Sequence, residues 1–269
     1  MKNYEKYKIY DAHAHIFPEK IAAKATVSIG EFYGYEMTGA GTGTGLAKIH
    51  EEKGVSGFLV SSTATTPHQV KAINDFIKKE CDERPYFVGF GSMHPAFENP
   101  EEEIERMKAL GLKGVKFHPD FQTFNIDDPK MDNVYKKIAE MDMFVLFHMG
   151  DDRYDYSHPV RLGRLMEKVP DLKAIAAHFG GHKVWGEIGS ALDGKNVVFD
   201  TSSSLYFMDK EEPMRLFEHF GIDKFMFGTD YPMWELEDEL ERFLALPLTE
   251  EQIVQILSKN FERIFNIKG

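Results

Sequence analysis

The sequence predicts one (β/α)8 barrel, the TIM-barrel fold, over residues 1–269. Three observations predict it. Short apolar runs rich in Val, Ile and Phe alternate with longer amphipathic, charged segments. The runs are apolar on both faces, as buried parallel strands are. Eight such runs occur, with a helical segment between each successive pair, and a barrel of about 250 residues is a common single-domain solution. The competing arrangement is an open doubly wound sheet. That sheet would not bring the C-terminal ends of strands one, five, six and eight to one point, as a barrel does. Neither a domain boundary nor a residue-level repeat is visible.

The first strand lies in Ile9–Pro18, Ile-Tyr-Asp-Ala-His-Ala-His-Ile-Phe-Pro. Side chains of an extended chain alternate between faces, so Asp11, His13 and His15 share one side and Ala12 and Ala14 the other. Two imidazoles so placed can close on one metal ion; a pair of surface histidines is the plain alternative. A segment of mixed character, Glu19 to Met37, follows, then a glycine run, Gly39 to Gly45. That run lacks the Lys-Ser/Thr of a phosphate loop and reads as a flexible loop over the site. A short helix from about Leu46 to Lys53 ends at Gly54.

Strand two is Val55 to Thr63, and Pro67 to Glu83 is a helix with apolar residues at Val70, Ile73, Phe76 and Ile77. Strand three is Tyr86 to Met93. Asn99-Pro100-Glu-Glu-Glu opens a helix, with proline in its first turn and carboxylates at the positive end of its dipole. Strand four is Leu112 to His118, strand five Met143 to His148, and a helix over Asp132 to Met141 joins them. Helices at Val160 to Val169 and Val184 to Leu192 flank strand six, Leu172 to His178. Strand seven is Val197 to Ser202, followed by a helix from Glu211 to Phe220. Strand eight is Lys224 to Asp230, and helices at Glu235 to Leu244 and Thr249 to Phe265 close the pattern.

Composition narrows the function classes. The formal net charge is −12, which at long range repels nucleic acid and anionic membranes. No apolar run approaches the roughly 20 residues of a membrane helix, and the first residues lack an apolar signal core. A cytoplasmic protein is the expectation. The one cysteine, Cys81, excludes an internal disulfide; it sits at the polar end of a helix with nothing nearby to depress its pKa. His50 and His219 lie on helices and read as solvent-facing.

Catalytic residues of a barrel lie at the C-terminal ends of its strands. Those ends carry His13 and His15, His118, His148, His178 and Asp230. A single buried histidine is usually explained by one hydrogen bond, but five strands ending this way point to a shared site. Imidazoles with a carboxylate suit zinc or another borderline divalent ion. Such an ion lowers the pKa of bound water to about 7, and a carboxylate beside that water can move its proton.

Asp-Ala-His-Ala-His at 11–15, Gly-Val-Lys-Phe-His-Pro at 114–119, His148, Ala-His-Phe-Gly-Gly at 177–181 and Gly-Thr-Asp-Tyr-Pro at 228–232 together resemble the amidohydrolase superfamily. They resemble most its amidohydrolase-2 branch, which includes aminocarboxymuconate-semialdehyde decarboxylase and related metal-dependent hydrolases. The segment Ser258 to Phe265 resembles that branch's closing helix. The resemblance implies that His13, His15 and His148 hold one Zn2+, or Mn2+, with Asp230 completing the site. It implies that Asp230 also shuttles the proton and that His178 orients the water or polarises the substrate. Asp11 is then either a partner fixing a histidine tautomer or a strand-end hydrogen-bond acceptor. Lys116 shares the parity of His118 on strand four. Relatives with a carboxylated lysine bridge two metals, but one metal is favoured here, with Lys116 as a substrate contact or a partner for a buried carboxylate. His118 and Arg153 are further candidate substrate contacts, a surface salt bridge being the alternative for Arg153. Trp185, Tyr231, Trp234 and Phe121 are candidate aromatic walls.

The leading functional expectation is a metal-dependent hydrolase of a small-molecule C–N or C–O bond, such as an amide or lactone. The second is a metal-dependent decarboxylase of a small unsaturated or aromatic acid, using the same ligands. A TatD-like nuclease, which also begins with His-x-His, is disfavoured by the acidic charge and the lack of a basic strip. A non-enzymatic metal-binding barrel comes last. The expected partner is a small-molecule substrate, with no nucleic acid and no membrane; a homodimer is the default assembly.

Overall fold

A computed structural model of the chain describes residues 4–267. The strands are β1 (Tyr10–His15), β2 (Gly57–Ser61), β3 (Phe87–Ser92), β4 (Gly114–Phe117), β5 (Phe144–Phe147), β6 (Lys173–Ala176), β7 (Val197–Asp200) and β8 (Phe225–Met226). They form one eight-stranded sheet in chain order. The last strand returns to the first. The Ala12 amide donates to the Phe227 carbonyl at 2.8 Å and the Asp230 amide to the His13 carbonyl at 2.9 Å, and Ala14 bridges Tyr231 in parallel. This is the expected (β/α)8 barrel.

Every strand is shorter than its apolar run. His13 and His15 lie within β1, whereas His118, His148, His178 and Asp230 lie beyond the ends of β4, β5, β6 and β8. His178 (φ 60°) and Asp230 (φ 63°) lie in the left-handed region, which few residues other than glycine occupy.

Among the described residues two compact units are built on these strands, residues 4–60, 80–88 and 201–267 in one and residues 61–79 and 89–200 in the other. In the first, Glu19–Tyr33 is a helix, α1, where only mixed character was expected. The glycine run also differs from expectation: its second half opens α2 (Gly43–Lys53), capped by Thr42 Oγ1, which accepts from the Gly45 amide at 3.0 Å. Its first half is held by Tyr231, whose hydroxyl accepts from the amides of Gly41 at 3.1 Å and Thr42 at 3.4 Å. A Cβ at Gly39 would lie 2.5 Å from the Tyr231 ring, so only glycine admits this approach. His50 on α2 is not solvent-facing. Its Nδ1 lies 2.6 Å from the Val55 carbonyl and its ring stacks on Tyr86 at 3.9 Å.

The expected closing helix is three pieces: α11 (Glu250–Val254), a π turn (Gln255–Lys259) and α12 (Asn260–Phe265). The wider turn leaves the Ile256 carbonyl available to accept from the Phe227 amide at 3.1 Å. Asn260 then donates to the carbonyls of Ile222 and Phe225 at 2.8 and 2.7 Å. The closing segment thus holds β8 through hydrogen bonds, with Tyr10 stacked on Phe261 at 4.6 Å.

In the second unit β4, β5 and β6 pair in parallel, Val115 beside Val145 and Val145 beside Ala174. Phe117, Phe147 and Tyr135 pack edge-on and stacked around α6 (Asp132–Glu140), with centroids 5.6–5.8 Å apart. The short helix α5 (Pro119–Gln122), absent from the sequence expectation, carries a clamp. Gln122 Nε2 donates to the carbonyls of Ala64 and Met93 at 2.8 and 2.7 Å, and its Oε1 accepts from the His118 amide at 3.0 Å. One buried amide therefore ties the segments following β2, β3 and β4.

Candidate metal centre

In the first unit, β1 presents His13 and His15 on one face, as alternation requires. Their Nε2 atoms lie 3.1 Å apart. Asp230, just past β8, places Oδ1 3.2 Å from His15 Nε2 and 3.6 Å from His13 Nε2. His13 is fully buried and Asp230 nearly so. Two imidazole nitrogens and a carboxylate oxygen converging this closely form a candidate ligand group. Ligands about 2.1 Å from one ion are separated by roughly 3.0 Å in an octahedron and 3.4 Å in a tetrahedron, so the three donors fit a single divalent ion.

Two of the three donors, His13 and Asp230, are held by serines. Ser202 Oγ lies 3.1 Å from His13 Nδ1. Ser203 Oγ donates to Asp230 Oδ2 at 2.6 Å and accepts from Trp234 Nε1 at 2.9 Å. Asp11 takes the strand-end role. Its Oδ1 accepts from the amides of His13 and Thr229, both at 3.0 Å, and its Oδ2 from the Thr229 hydroxyl at 2.6 Å. Burial pushes the Asp11 carboxyl up to about 6, against the pull of those hydrogen bonds.

In the second unit the ends of β4, β5 and β6 gather the other histidines. His148 Nδ1 lies 3.0 Å from His178 Nε2, and His148 Nε2 lies 3.1 Å from the Gly150 carbonyl. The His118 ring stacks on His148 at 4.0 Å and on Phe121 at 3.8 Å. Burial holds His148 well below the usual imidazole range, and His118, His178 and Lys116 add to it, so this ring is neutral and able to donate a lone pair. The His178 backbone is fixed by its amide donating to Asp200 Oδ1 at 3.0 Å and its carbonyl accepting from Trp185 Nε1 at 2.9 Å.

Lys116 is completely buried on β4. Asp120 is buried beside His148, with Oδ2 3.8 Å from Nε2 and accepting from Ser157 Oγ at 2.6 Å; burial raises its carboxyl to about 6. Arg153 binds Asp151 through its backbone amide, Nε and Nη2 at 2.7–2.9 Å. That pairing holds the Asp151 carboxyl below its usual range although burial opposes it. Of the aromatic candidates, Tyr231 holds the glycine loop, Trp185 braces His178, Phe121 covers His118 and Trp234 reaches Ser203.

Sequence reasoning assigned no role to Ser202, Ser203, Asp120 or Gln122. The polar run Thr201 to Ser204, directly after an apolar strand, was the available signal for the serines. Asp120 and Gln122 carried none, since both lie on an unexpected single-turn helix.

The amidohydrolase family model matches residues 10–267. The chain belongs to the amidohydrolase family. A curated relative of this amidohydrolase, 2-amino-3-carboxymuconate-6-semialdehyde decarboxylase of Dictyostelium discoideum, is 26% identical over 199 residues, 60% of this chain. The match spans 55% of that relative, so the chain covers about half of its length. Among solved structures it is similar to a 5-carboxyvanillate decarboxylase from Sphingomonas paucimobilis, with a TM-score of 0.76 and 16% identity over 98% of this chain and 100% of the other. It is also similar to a dihydroxybenzoic acid decarboxylase from a Polaromonas species with bound manganese and 2-nitroresorcinol, at a TM-score of 0.75 and 15% identity over 97% of both chains. These likenesses establish the barrel. Among the described residues no helix is long and apolar enough to cross a membrane.

Proposed function

We propose that this amidohydrolase is a metal-dependent carboxy-lyase that releases carbon dioxide from a small unsaturated or aromatic carboxylic acid. The observation that carries the reading is the convergence of His13 Nε2, His15 Nε2 and Asp230 Oδ1 within 3.1–3.6 Å. The names of the similar proteins support a lyase over the hydrolase that leads from sequence alone. The order of those two expectations is therefore reversed.

His13, His15 and Asp230 would hold one divalent ion. Zn2+ and Mn2+ both fit this donor set, and manganese is the ion bound in the Polaromonas decarboxylase. When bound, the ion supplies positive charge that polarises substrate oxygens and favours the anionic acid. Asp230 divides its two oxygens between tasks. Oδ1 faces the histidines and Oδ2 accepts from Ser203 Oγ, and Asp230 is the proposed carrier of the proton to the carbon bearing the carboxylate. The C–C bond then breaks, its electron pair returns to the unsaturated system, and carbon dioxide leaves without consuming water. The partner is this small acid.

The test is carbon dioxide release from 2,6-dihydroxybenzoate, 5-carboxyvanillate and 2-amino-3-carboxymuconate-6-semialdehyde by the metal-loaded protein. Amides and lactones are assayed in parallel in 18O-water. Decarboxylation that disappears in Asp230→Asn, with melting temperature retained, supports the reading. Hydrolysis of an amide or lactone with 18O incorporation, and no carbon dioxide from any acid, refutes it in favour of the hydrolase.

A further inference from the structure

Neighbouring residues of an extended chain point to opposite faces. Ser202 and Ser203 lie two and three residues beyond β7 and yet reach the same centre. Ser202 Oγ lies 3.1 Å from His13 Nδ1, and Ser203 Oγ lies 2.6 Å from Asp230 Oδ2. The cause is local: Ser203 sits at φ 49°, a left-handed turn that swings its side chain out of the alternation. Both serines are buried. A buried serine held in a sparsely populated backbone region points to a role for its side chain.

The polarity of this arrangement follows from donor counting. Indole Nε1 can only donate, so Ser203 Oγ accepts from Trp234 at 2.9 Å and spends its one proton on Asp230. That bond anchors Oδ2 and leaves Oδ1 toward His15 and His13. At His13, Nε2 faces His15. With that nitrogen offered as a ligand, Nδ1 carries the proton and donates to Ser202, which fixes both tautomer and ring angle. Gly228 makes the approach feasible. A Cβ there would stand 3.1 Å from His13 Cβ and 3.3 Å from Ser202 Cβ.

We propose that Ser202 and Ser203 are the positioning pair of the metal centre, Ser202 setting the His13 ring and Ser203 the Asp230 carboxylate, with Trp234 holding Ser203. The proposal rests on the metal-binding reading above and assigns to that centre two residues outside the ligand set. Partners of this kind typically change metal affinity 10- to 100-fold.

The experiment needs no substrate. Metal-stripped wild type, Ser202→Ala, Ser203→Gly and Asp230→Asn are titrated with MnCl2 by calorimetry, and each metal-free protein is melted. The expected result is binding weakened about 10- to 100-fold in Ser202→Ala and in Ser203→Gly, with metal-free melting temperatures at the wild-type value. Ser203→Gly is the deciding variant. It removes the hydroxyl and relieves the left-handed backbone at once; weaker binding beside a wild-type melting temperature separates lost positioning from lost folding, and this variant decides alone if Ser202→Ala melts low. Affinity within twofold of wild type in Ser203→Gly, while Asp230→Asn loses binding, overturns the pair and leaves the metal reading intact. Wild type that binds neither Mn2+ nor Zn2+ defeats the metal reading itself, and the pair with it.

Discussion

Glu239 of α10 (Leu236–Leu244) gives a prediction that reaches stability through a single buried group. Its side chain is fully buried, Oε1 accepts from Arg242 Nη1 at 2.5 Å, and Oε2 has no hydrogen-bond partner. Burial raises its carboxyl from 4.5 to about 8; the Arg242 ion pair opposes this, while the carboxylates of Asp230 and Asp11 add to it. The native state therefore keeps a proton that the unfolded chain has already released. Below pH 4.5 both states are protonated and the group costs nothing. Between pH 4.5 and 8 stability falls by about 1.4 kcal/mol per pH unit. Over this three-and-a-half-unit window the loss is on the order of 5 kcal/mol, complete above pH 8. Glu239→Gln keeps an acceptor for Arg242 and removes the charge. Urea denaturation of metal-free wild type and variant at pH 4.5, 6.5 and 9 measures the difference. The variant should match wild type at pH 4.5, exceed it by about 3 kcal/mol at pH 6.5 and by about 5 kcal/mol at pH 9. A difference that stays constant across the three pH values refutes the reasoning.

Four other outcomes are expected. Gln122→Leu strips partners from two buried carbonyls and one amide, a loss on the order of 3–6 kcal/mol, seen as a lower urea midpoint with an unchanged slope. Tyr231→Phe releases the amides of Gly41 and Thr42 at a cost of about 1 kcal/mol, and hydrogen exchange at those two amides should quicken while core strands keep their protection. His15→Ala should carry far less metal than wild type by elemental analysis, and chelation of wild type should abolish turnover until Mn2+ or Zn2+ is restored.

The sequence revealed most where a side chain follows directly from strand geometry. His13 and His15 were readable because period-two alternation alone places both imidazoles on one face of β1, and the apolar runs placed the strands. Legibility failed where the backbone leaves a regular path. Ser203 could not be paired with Ser202 because only φ 49° brings adjacent side chains to one centre. Asp120 and Gln122 sit on a four-residue helix with no periodicity to detect. The closing helix read as continuous because Thr249 to Phe265 holds no glycine or proline to mark the π turn that shifts one carbonyl toward Phe227. The glycines at 39 and 41 looked like slack; what they serve is a tyrosine 190 positions further on, and no local pattern encodes that.

The same distance governs how the centre comes into being. Asp11 and Thr229 are 218 positions apart, and closing a loop of that length costs about 5 kcal/mol in chain entropy before any contact repays it. A refolding chain that has formed only β1 can offer an ion His13 and His15 and nothing more. The carboxylate arrives with β8, one of the most non-local pairings in the fold and, by topology, among the slowest. Tight metal uptake should therefore appear as a late kinetic event, trailing the recovery of helical signal, and so mark the moment at which first and last strands meet.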